Sequence, residues 1–191
     1  MQLVHLPASE RKPAPWKNGG GSTEEAAVSP AGASMDTFDW RISIATVSEA
    51  GDFSKFEGID RHLTLLRGKL LLTSEGQTHT LLPGESLAFD GGAPFHGDPG
   101  QAPAMDLNIM TRRGSFDAEV ARLSDSEAHN LAPGSGFFFA LAPAIVAGRQ
   151  LAETDLLRFE TDAPESIRIA GGPVLLIKFL PQQPGPSPDR P

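Results

Sequence analysis

Glycine and proline recur at short intervals along the whole chain, and this punctuation is the strongest constraint on its fold. The 191 residues include 20 glycines and 17 prolines, which fall between short apolar runs. Short runs bounded by turn residues are typical of β-strands. Many short strands with few helices predict an all-β protein of the sandwich or barrel type.

Two of these runs alternate in polarity, so that each has two distinct faces. In the run 40–47 (WRISIATV), Arg41 lies on the face opposite the large apolar side chains. In the run 105–111 (MDLNIMT), Asp106 and Asn108 share one face. One face of each strand in a closed barrel points inward, so these polar residues are expected either to line a pocket or to face solvent.

The segment 68–89 is similar to the middle of a cupin barrel. A strand follows Gly68, a hairpin turn and a second strand lead to a Leu-Pro-Gly-Glu turn, and a further strand ends at Phe89. Two such halves in tandem would fill the chain. We therefore expect two small cupin-type barrels, a bicupin, with the first barrel over residues 1–114 and the second cupin-like half over residues 115–180.

A short helix is expected to connect the two halves. In the segment 115–123 (SFDAEVARL), Ser115 is a candidate N-cap, and Phe116, Val120 and Leu123 have helical spacing. The tail over residues 181–191 (PQQPGPSPDRP) is too rich in proline to pack, and we expect it to be disordered.

The composition excludes several classes of function. The net charge is −8 and the pI is near 5.0, which argues against nucleic acid, where a basic surface supplies most of the affinity, and against an anionic membrane surface. Cysteine is absent, so disulfides, thiol catalysis and cysteine metal sites are excluded. No run approaches 18 apolar residues and the N-terminus has no long apolar segment, so we expect a cytoplasmic protein without membrane association.

We expect neither a metal nor another cofactor. A metal-binding cupin usually carries His-x-His followed by Glu, with a further His on a later strand. This chain has Ile59-Asp60-Arg61-His62 at the first of these positions, and no two of its 5 histidines are closer than 17 residues. A Gly-x-Ser-x-Gly nucleophile motif is also absent from the sequence.

The stretch 14–27 (APWKNGGGSTEEAA) places three glycines directly after Trp16, Lys17 and Asn18. A phosphate-binding loop would have its Lys after the last glycine, and the dinucleotide fingerprint would need a glycine where Glu24 stands. One interpretation is a turn or a β-bulge, where glycine takes a positive φ without strain. The other is a ligand site, in which the side chains of this motif face a pocket and the glycine N–H groups contact the ligand.

Polar residues inside several strand-like runs favour a pocket for a small anionic metabolite. Solvent exposure is an equal alternative for any one of them, but several together, joined by Lys17 and by Arg112-Arg113, favour a pocket. Arginine offers a planar fork that matches a carboxylate, and lysine adds a point charge. The expected ligand-binding residues are Trp16, Lys17, Asn18, Gly19, Gly20, Arg41, Arg61, Asp106 and Asn108.

Five motifs recur along the chain in a distinctive order. They are PWKNGGGST at 15–23, FDWRISIATV at 38–47, FSKFEGIDRHLTLLRG at 53–68, FDG at 89–91 and DLNIMTRRG at 106–114. Taken together, they resemble the HutD/Ves family. The resemblance extends in order and spacing over residues 1–180. One departure follows the glycines, where the family usually reads Thr-Arg-Glu and this chain reads Thr23-Glu24-Glu25.

The resemblance implies a bicupin fold, often as a homodimer, and an accessory role in histidine utilisation or stress response, with no catalytic reaction firmly attached to the family. The implied ligand is an intermediate of histidine degradation, such as a formylated glutamate or urocanate. Three hypotheses stay open. They are non-catalytic binding of a small carboxylate, a metal-independent isomerase or amide hydrolase that uses Lys17 or Asp106, and a protein-interaction scaffold with a vestigial pocket.

Overall fold

Strands and the turns between them make up nearly all of the structure, a computed structural model that describes residues 1–124 and 128–182. Within those ranges the helical element is a single 3₁₀ turn over Ala8–Glu10. A search of the described residues finds no helix long and apolar enough to cross a membrane.

The strands are numbered in chain order. Those up to residue 112 are β1 (Gln2–Leu6), β2 (Pro13–Pro15), β3 (Gly21–Ser29), β4 (Trp40–Val47), β5 (Gly51–Asp52), β6 (Ile59–Arg67), β7 (Leu70–Ser74), β8 (Gln77–Leu81), β9 (Ser86–Asp90), β10 (His96–Asp98) and β11 (Ala104–Arg112). Those that follow are β12 (Phe116–Leu123), β13 (Ala128–Leu131), β14 (Gly134–Ala140), β15 (Ala144–Val146), β16 (Arg149–Leu151), β17 (Leu156–Thr161), β18 (Glu165–Gly171) and β19 (Val174–Pro181).

Residues 12–117 belong to one compact unit that is built from two antiparallel sheets. The larger sheet has the strand order β2-β3-β4-β11-β6-β9, and the smaller sheet has the order β5-β10-β7-β8. Buried apolar side chains from both sheets pack against one another, so the core lies between the sheets. This core consists of Val47, Leu63, Leu65, Leu70, Leu72, Leu81, Phe95 and Ala104.

Residues 1–11 and 118–180 form a second compact unit. Its sheets have the strand orders β1-β17-β14-β19-β12 and β13-β18-β15-β16. The rings of Phe138 and Phe159 lie 5.1 Å apart in its core. Strand β1 pairs with β17, and the buried carboxylate of Asp155 fixes the segment that follows β1, because it accepts hydrogen bonds from the backbone N–H of Ala8 at 2.7 Å and pairs with His5 Nε2 at 2.8 Å.

The structure confirms the all-β prediction and the positions of several strands. Strand β4 spans the run 40–47, and strand β7 follows Gly68 as predicted. The predicted hairpin turn joins β7 to β8.

The predicted helix over 115–123 is wrong, because residues 116–123 form strand β12 at the edge of a sheet. Phe116, Ala118 and Val120 are half-buried, and the residues between them are exposed. Positions four residues apart share a face in a strand as well as in a helix, so Phe116 and Val120 fit both patterns. Backbone pairing with β19 decides the outcome in favour of the strand.

The boundaries between the two units follow strand pairing rather than chain order. The contacts divide the chain near residues 11 and 117, whereas the sequence predicts one barrel over 1–114 and a second cupin-like half over 115–180. The difference arises because β1 adds to the sheet of the later residues through its pairing with β17. Most of the proline-rich tail, residues 183–191, lies outside the described residues.

Candidate functional site

A cavity of about 610 Å³ lies in the unit formed by residues 12–117. Cavities of roughly 300–1,000 Å³ are typical of small-molecule sites. Strands β4, β6 and β11 of the larger sheet supply its inner wall, and the connections after β2 and β5 supply its mouth. The inner-wall residues used below are Arg41, Ser43, Arg61, Asp106, Asn108 and Met110.

Strand register brings the two arginines to the same level of the cavity wall. Met110 of β11 pairs with Arg41 on one side and with Arg61 on the other. Residues at i and i+2 of a strand share a face, so Asn108 and Asp106 follow Met110 along the same wall. The alternation left open which face of runs 40–47 and 105–111 points inward, and the structure places Arg41, Asp106 and Asn108 on the faces that line the cavity.

Arg61 is the most enclosed cation of the cavity. Its side chain is buried, and its guanidinium carbon lies 5.3 Å, 5.8 Å and 5.0 Å from the ring centroids of Phe53, Phe56 and Phe89. One terminal NH₂ group donates to Asn108 Oδ1, whereas Nε is buried with no hydrogen-bond partner among the described residues. Burial lowers the pKa of Arg61 to about 10, with the Asp106 carboxylate acting in the opposite direction, so Arg61 remains a cation at neutral pH.

Asp106 is fully buried in the same wall. Its Oδ1 accepts a hydrogen bond from Asn108 Nδ2, and its Oδ2 has no partner among the described residues. Burial raises the pKa of Asp106 to about 7, although the Arg61 charge and the Asn108 hydrogen bond lower it. Asn108 thus connects the two ionisable groups, because its carbonyl faces Arg61 and its amide faces Asp106.

Arg41 is buried but already paired. Its Nε donates to Glu25 Oε2 at 3.0 Å, and NH1 donates to Ser43 Oγ at 3.2 Å. The Glu25 side chain is 45% exposed, so water screens this ion pair more than it screens Arg61. Glu24, at the departure from the family pattern, is not among the residues that line the cavity.

Trp16, Lys17 and Asn18 lie at the mouth of the cavity. Trp16 is half-buried and its indole Nε1 donates to Thr23 Oγ1 at 2.8 Å, which fixes the ring orientation. Lys17 and Asn18 are exposed. Asp52 also lines the mouth and pairs with His96 outside the cavity at 2.8 Å.

The structure corrects the expectation for Gly19 and Gly20. Neither lines the cavity, and their N–H groups are used within the loop, since Gly19 N donates to Trp16 O at 3.0 Å and Gly20 N donates to Asn18 Oδ1 at 3.1 Å. Gly19 has a φ of 76°. A Cβ at Gly21 would lie 2.3 Å from Thr46 O, so this glycine permits the close approach of β3 and β4.

The prediction that Arg112 and Arg113, at the end of β11, contribute to the pocket is also wrong. Arg112 donates to the carbonyl oxygen of Phe38, and Arg113 pairs with Asp60 and Asp90 on the surface. Neither lines the cavity. The aromatic residues around Arg61 were missed, although the spacing of the two phenylalanines in FSKFEGIDR directly before Arg61 was a signal that could have identified them.

The family model and one of the two relatives described here match most of the chain. The HutD family model matches residues 8–177. Protein Ves from Citrobacter koseri is 33% identical over 178 residues, which cover 91% of this chain and 92% of that protein. An uncharacterised 21.2 kDa protein from the hutC 3′ region of Pseudomonas putida is 45% identical over 92 residues, which cover 47% of this chain and 48% of that protein.

Solved structures show the same fold. HutD from Pseudomonas fluorescens SBW25, in a formate condition, has a TM-score of 0.86 and 29% identity, covering 95% of this chain and 100% of that one. Oxalate decarboxylase from Lactobacillus farciminis, at 8% identity, has a TM-score of 0.65 and covers 95% of this chain and 86% of that one, a likeness of fold alone. The expectation of a cupin-type fold is confirmed.

Proposed function

This chain belongs to the HutD family, and we propose that its cavity binds a small carboxylate metabolite without catalysing a reaction. Membership of that family fits a protein associated with histidine utilisation. The ligand class proposed is an intermediate of histidine degradation that resembles a formylated glutamate or urocanate. Both compounds carry a carboxylate and are small enough for a cavity of about 610 Å³.

The single observation that carries this proposal is the buried Nε of Arg61, which has no partner among the described residues. A buried charged donor without a hydrogen bond is costly, so a complementary acceptor in the cavity would be favoured. Carboxylates match the guanidinium fork and form the stronger, charge-assisted class of hydrogen bond. The three phenylalanine rings around Arg61 exclude water and so strengthen this interaction.

The wall composition also supports a ligand with an apolar or planar part. Phe53, Phe56 and Met110 line the cavity beside the polar groups. Trp16 covers the mouth with a fixed ring. A planar conjugated acid would place its carboxylate against Arg61 and its flat surface against these side chains.

A thermal-shift screen tests the proposal. Purified protein is heated with urocanate, N-formylglutamate, glutamate, histidine and formate, and with urocanate ethyl ester as an uncharged control. A ligand at 100 times its Kd adds about 2.7 kcal/mol to the free energy of unfolding, which corresponds to several degrees. We expect stabilisation by at least one free acid and none by the ester. Stabilisation by acid and ester alike would contradict recognition of the carboxylate.

A metal-independent enzyme is the second candidate, and Asp106 is the observation that favours it. A fully buried carboxyl group with a pKa of about 7 can act as either a general acid or a general base at neutral pH. Incubation of the purified protein with N-formylglutamate or urocanate, followed by ¹H NMR, tests this candidate. Turnover that disappears in the variant Asp106→Asn would support the enzyme and overturn the non-catalytic proposal.

A further inference from the structure

The charges on the inner wall of the cavity balance in pairs. Arg41 is neutralised by Glu25 through the 3.0 Å contact of Nε with Oε2. Arg61 is connected to Asp106 through the amide of Asn108. When Asp106 is ionised, the inner wall therefore carries no net charge. When Asp106 is protonated, Arg61 is left as one uncompensated cation in a buried setting.

We infer that Asp106 couples the entry of one carboxylate group at Arg61 to the uptake of one proton. The inference rests on the proposed function. If the cavity binds a carboxylate, the anion and a proton on Asp106 enter together, and the ligand charge and the Arg61 charge then leave the buried region neutral. Two buried charges of the same sign side by side, the ligand carboxylate and an ionised Asp106, are strongly disfavoured in a low-dielectric site.

The hydrogen-bond arrangement identifies the oxygen that takes the proton. Oδ1 of Asp106 accepts from Asn108 Nδ2, whose orientation is set by Arg61 on the other side of the amide. Oδ2 is buried and has no partner among the described residues. A proton on Oδ2 leaves every existing hydrogen bond in place, so protonation requires no rearrangement of the wall.

The other charged residues that line the cavity do not take the role proposed for Asp106. From β4 the facing charge is Arg41, and from β6 it is Arg61, while the mouth contributes Lys17 and Asp52. Lys17 and Asp52 are exposed, so solvent screens their interaction with Asp106. Asp106 is the carboxyl group of the wall that is both fully buried and incompletely hydrogen-bonded.

The pH range follows from the direction of the coupling. In the free protein Asp106 has a pKa of about 7, and the negative charge of a bound ligand raises this pKa further. Below the free-state pKa the proton is already present, so affinity does not depend on pH. Above it each bound ligand takes up a proton, and the Kd rises about tenfold per pH unit.

Isothermal titration of N-formylglutamate tests the inference. The Kd is measured between about pH 6 and pH 8.5, where we expect a rise of about 30-fold. Repeating the titration at pH 8 in two buffers with different ionisation enthalpies gives the number of protons bound, which we expect to approach one per ligand. Asp106→Asn keeps a neutral group of the same shape and is expected to bind with no pH dependence, whereas the exposed-carboxylate control Asp117→Asn is expected to behave like the unmodified protein.

The outcomes are separable. Binding that is tight at pH 6 and equally tight at pH 8.5, with no proton uptake, would overturn this inference and leave the proposed function intact. The same holds if Asp106→Asn binds with the full pH dependence. No binding at any pH, together with no stabilisation by any acid of the thermal-shift screen, would overturn both. The proton count needs only the unmodified protein, so the test stands even if Asp106→Asn fails to fold.

Discussion

Replacing Arg61 with methionine separates the contribution of its charge from that of its packing. Methionine keeps an unbranched apolar chain among Phe53, Phe56 and Phe89, whose centroids lie within 5.8 Å of the guanidinium carbon. The variant loses a buried charged donor, and hydrogen bonds to charged groups contribute about 1.5–3 kcal/mol. We therefore expect the Kd for a carboxylate ligand to rise about 10-fold to 150-fold.

The stability of Arg61→Met is expected to depend on pH in a defined direction. Arg61 lowers the pKa of Asp106, which is about 7, so the variant raises that pKa further. A carboxyl group whose folded-state pKa lies above its unfolded value opposes folding increasingly as pH rises. The loss of stability relative to the unmodified protein should therefore be small at pH 6 and grow by up to about 2 kcal/mol between pH 7 and pH 8.5.

Titration calorimetry measures the change in Kd, and urea unfolding at pH 6 and pH 8.5 measures the change in stability. Arg158→Gln, which changes an exposed arginine in the other unit, is the matched control and should alter neither quantity. Unchanged affinity in Arg61→Met would refute the assignment of the anion site. A loss of stability that is the same at pH 6 and pH 8.5 would refute the electrostatic account of Asp106.

Three further predictions, which use four substitutions, test other parts of the structure. Burial alone would raise the pKa of Asp155, but hydrogen bonds from Ala8, His5 and Ala152 hold that pKa below its usual value. In urea unfolding, Asp155→Asn should therefore lower the free energy of unfolding by about 1–3 kcal/mol at pH 7. This difference in stability between the variant and the unmodified protein should vanish as the pH falls through the folded-state pKa of Asp155. Gly21→Ala should cost about 1–3 kcal/mol because its Cβ would meet Thr46 O, whereas Gly20→Ala, with 3.6 Å to its nearest atom, should leave the melting temperature nearly unchanged; equal losses would contradict the packing argument. Lys17→Ala should weaken carboxylate binding by less than about tenfold, since Lys17 is exposed at the mouth, and should not change the melting temperature.

The fold was predictable because the signals were local and mutually consistent. Alternation in 40–47 and 105–111 and the turn residues between short runs point to the same all-β architecture. The helix prediction for residues 116–123 was wrong because the spacing of their apolar residues suits both a helix and a strand. Pairing with β19, a strand distant in sequence, decides in favour of the strand. The addition of β1 to the later sheet is likewise a long-range pairing with no local signal.

The candidate site was predictable in part. Period-two alternation is sufficient to place Asp106 and Asn108 on one face of their own strand, and Arg41 opposite the large apolar side chains of its strand, because a strand has only two faces. The role of Gly19 and Gly20 could not be predicted, because a tight loop and a ligand-binding loop require the same residue type. Strand register could not be derived from the sequence either, and register is what brings Arg61 beside Asn108 and Asp106.

The most direct test of the central claim is a ¹⁵N–¹H NMR titration that follows the Arg61 Nε–H resonance as N-formylglutamate or urocanate is added at pH 6. Arg61→Met assigns the resonance by its disappearance. The account predicts a progressive downfield shift that saturates with the Kd measured by calorimetry, because the partnerless Nε–H gains a carboxylate acceptor. A resonance that stays in place while calorimetry reports binding would show that the ligand binds elsewhere and would contradict the account.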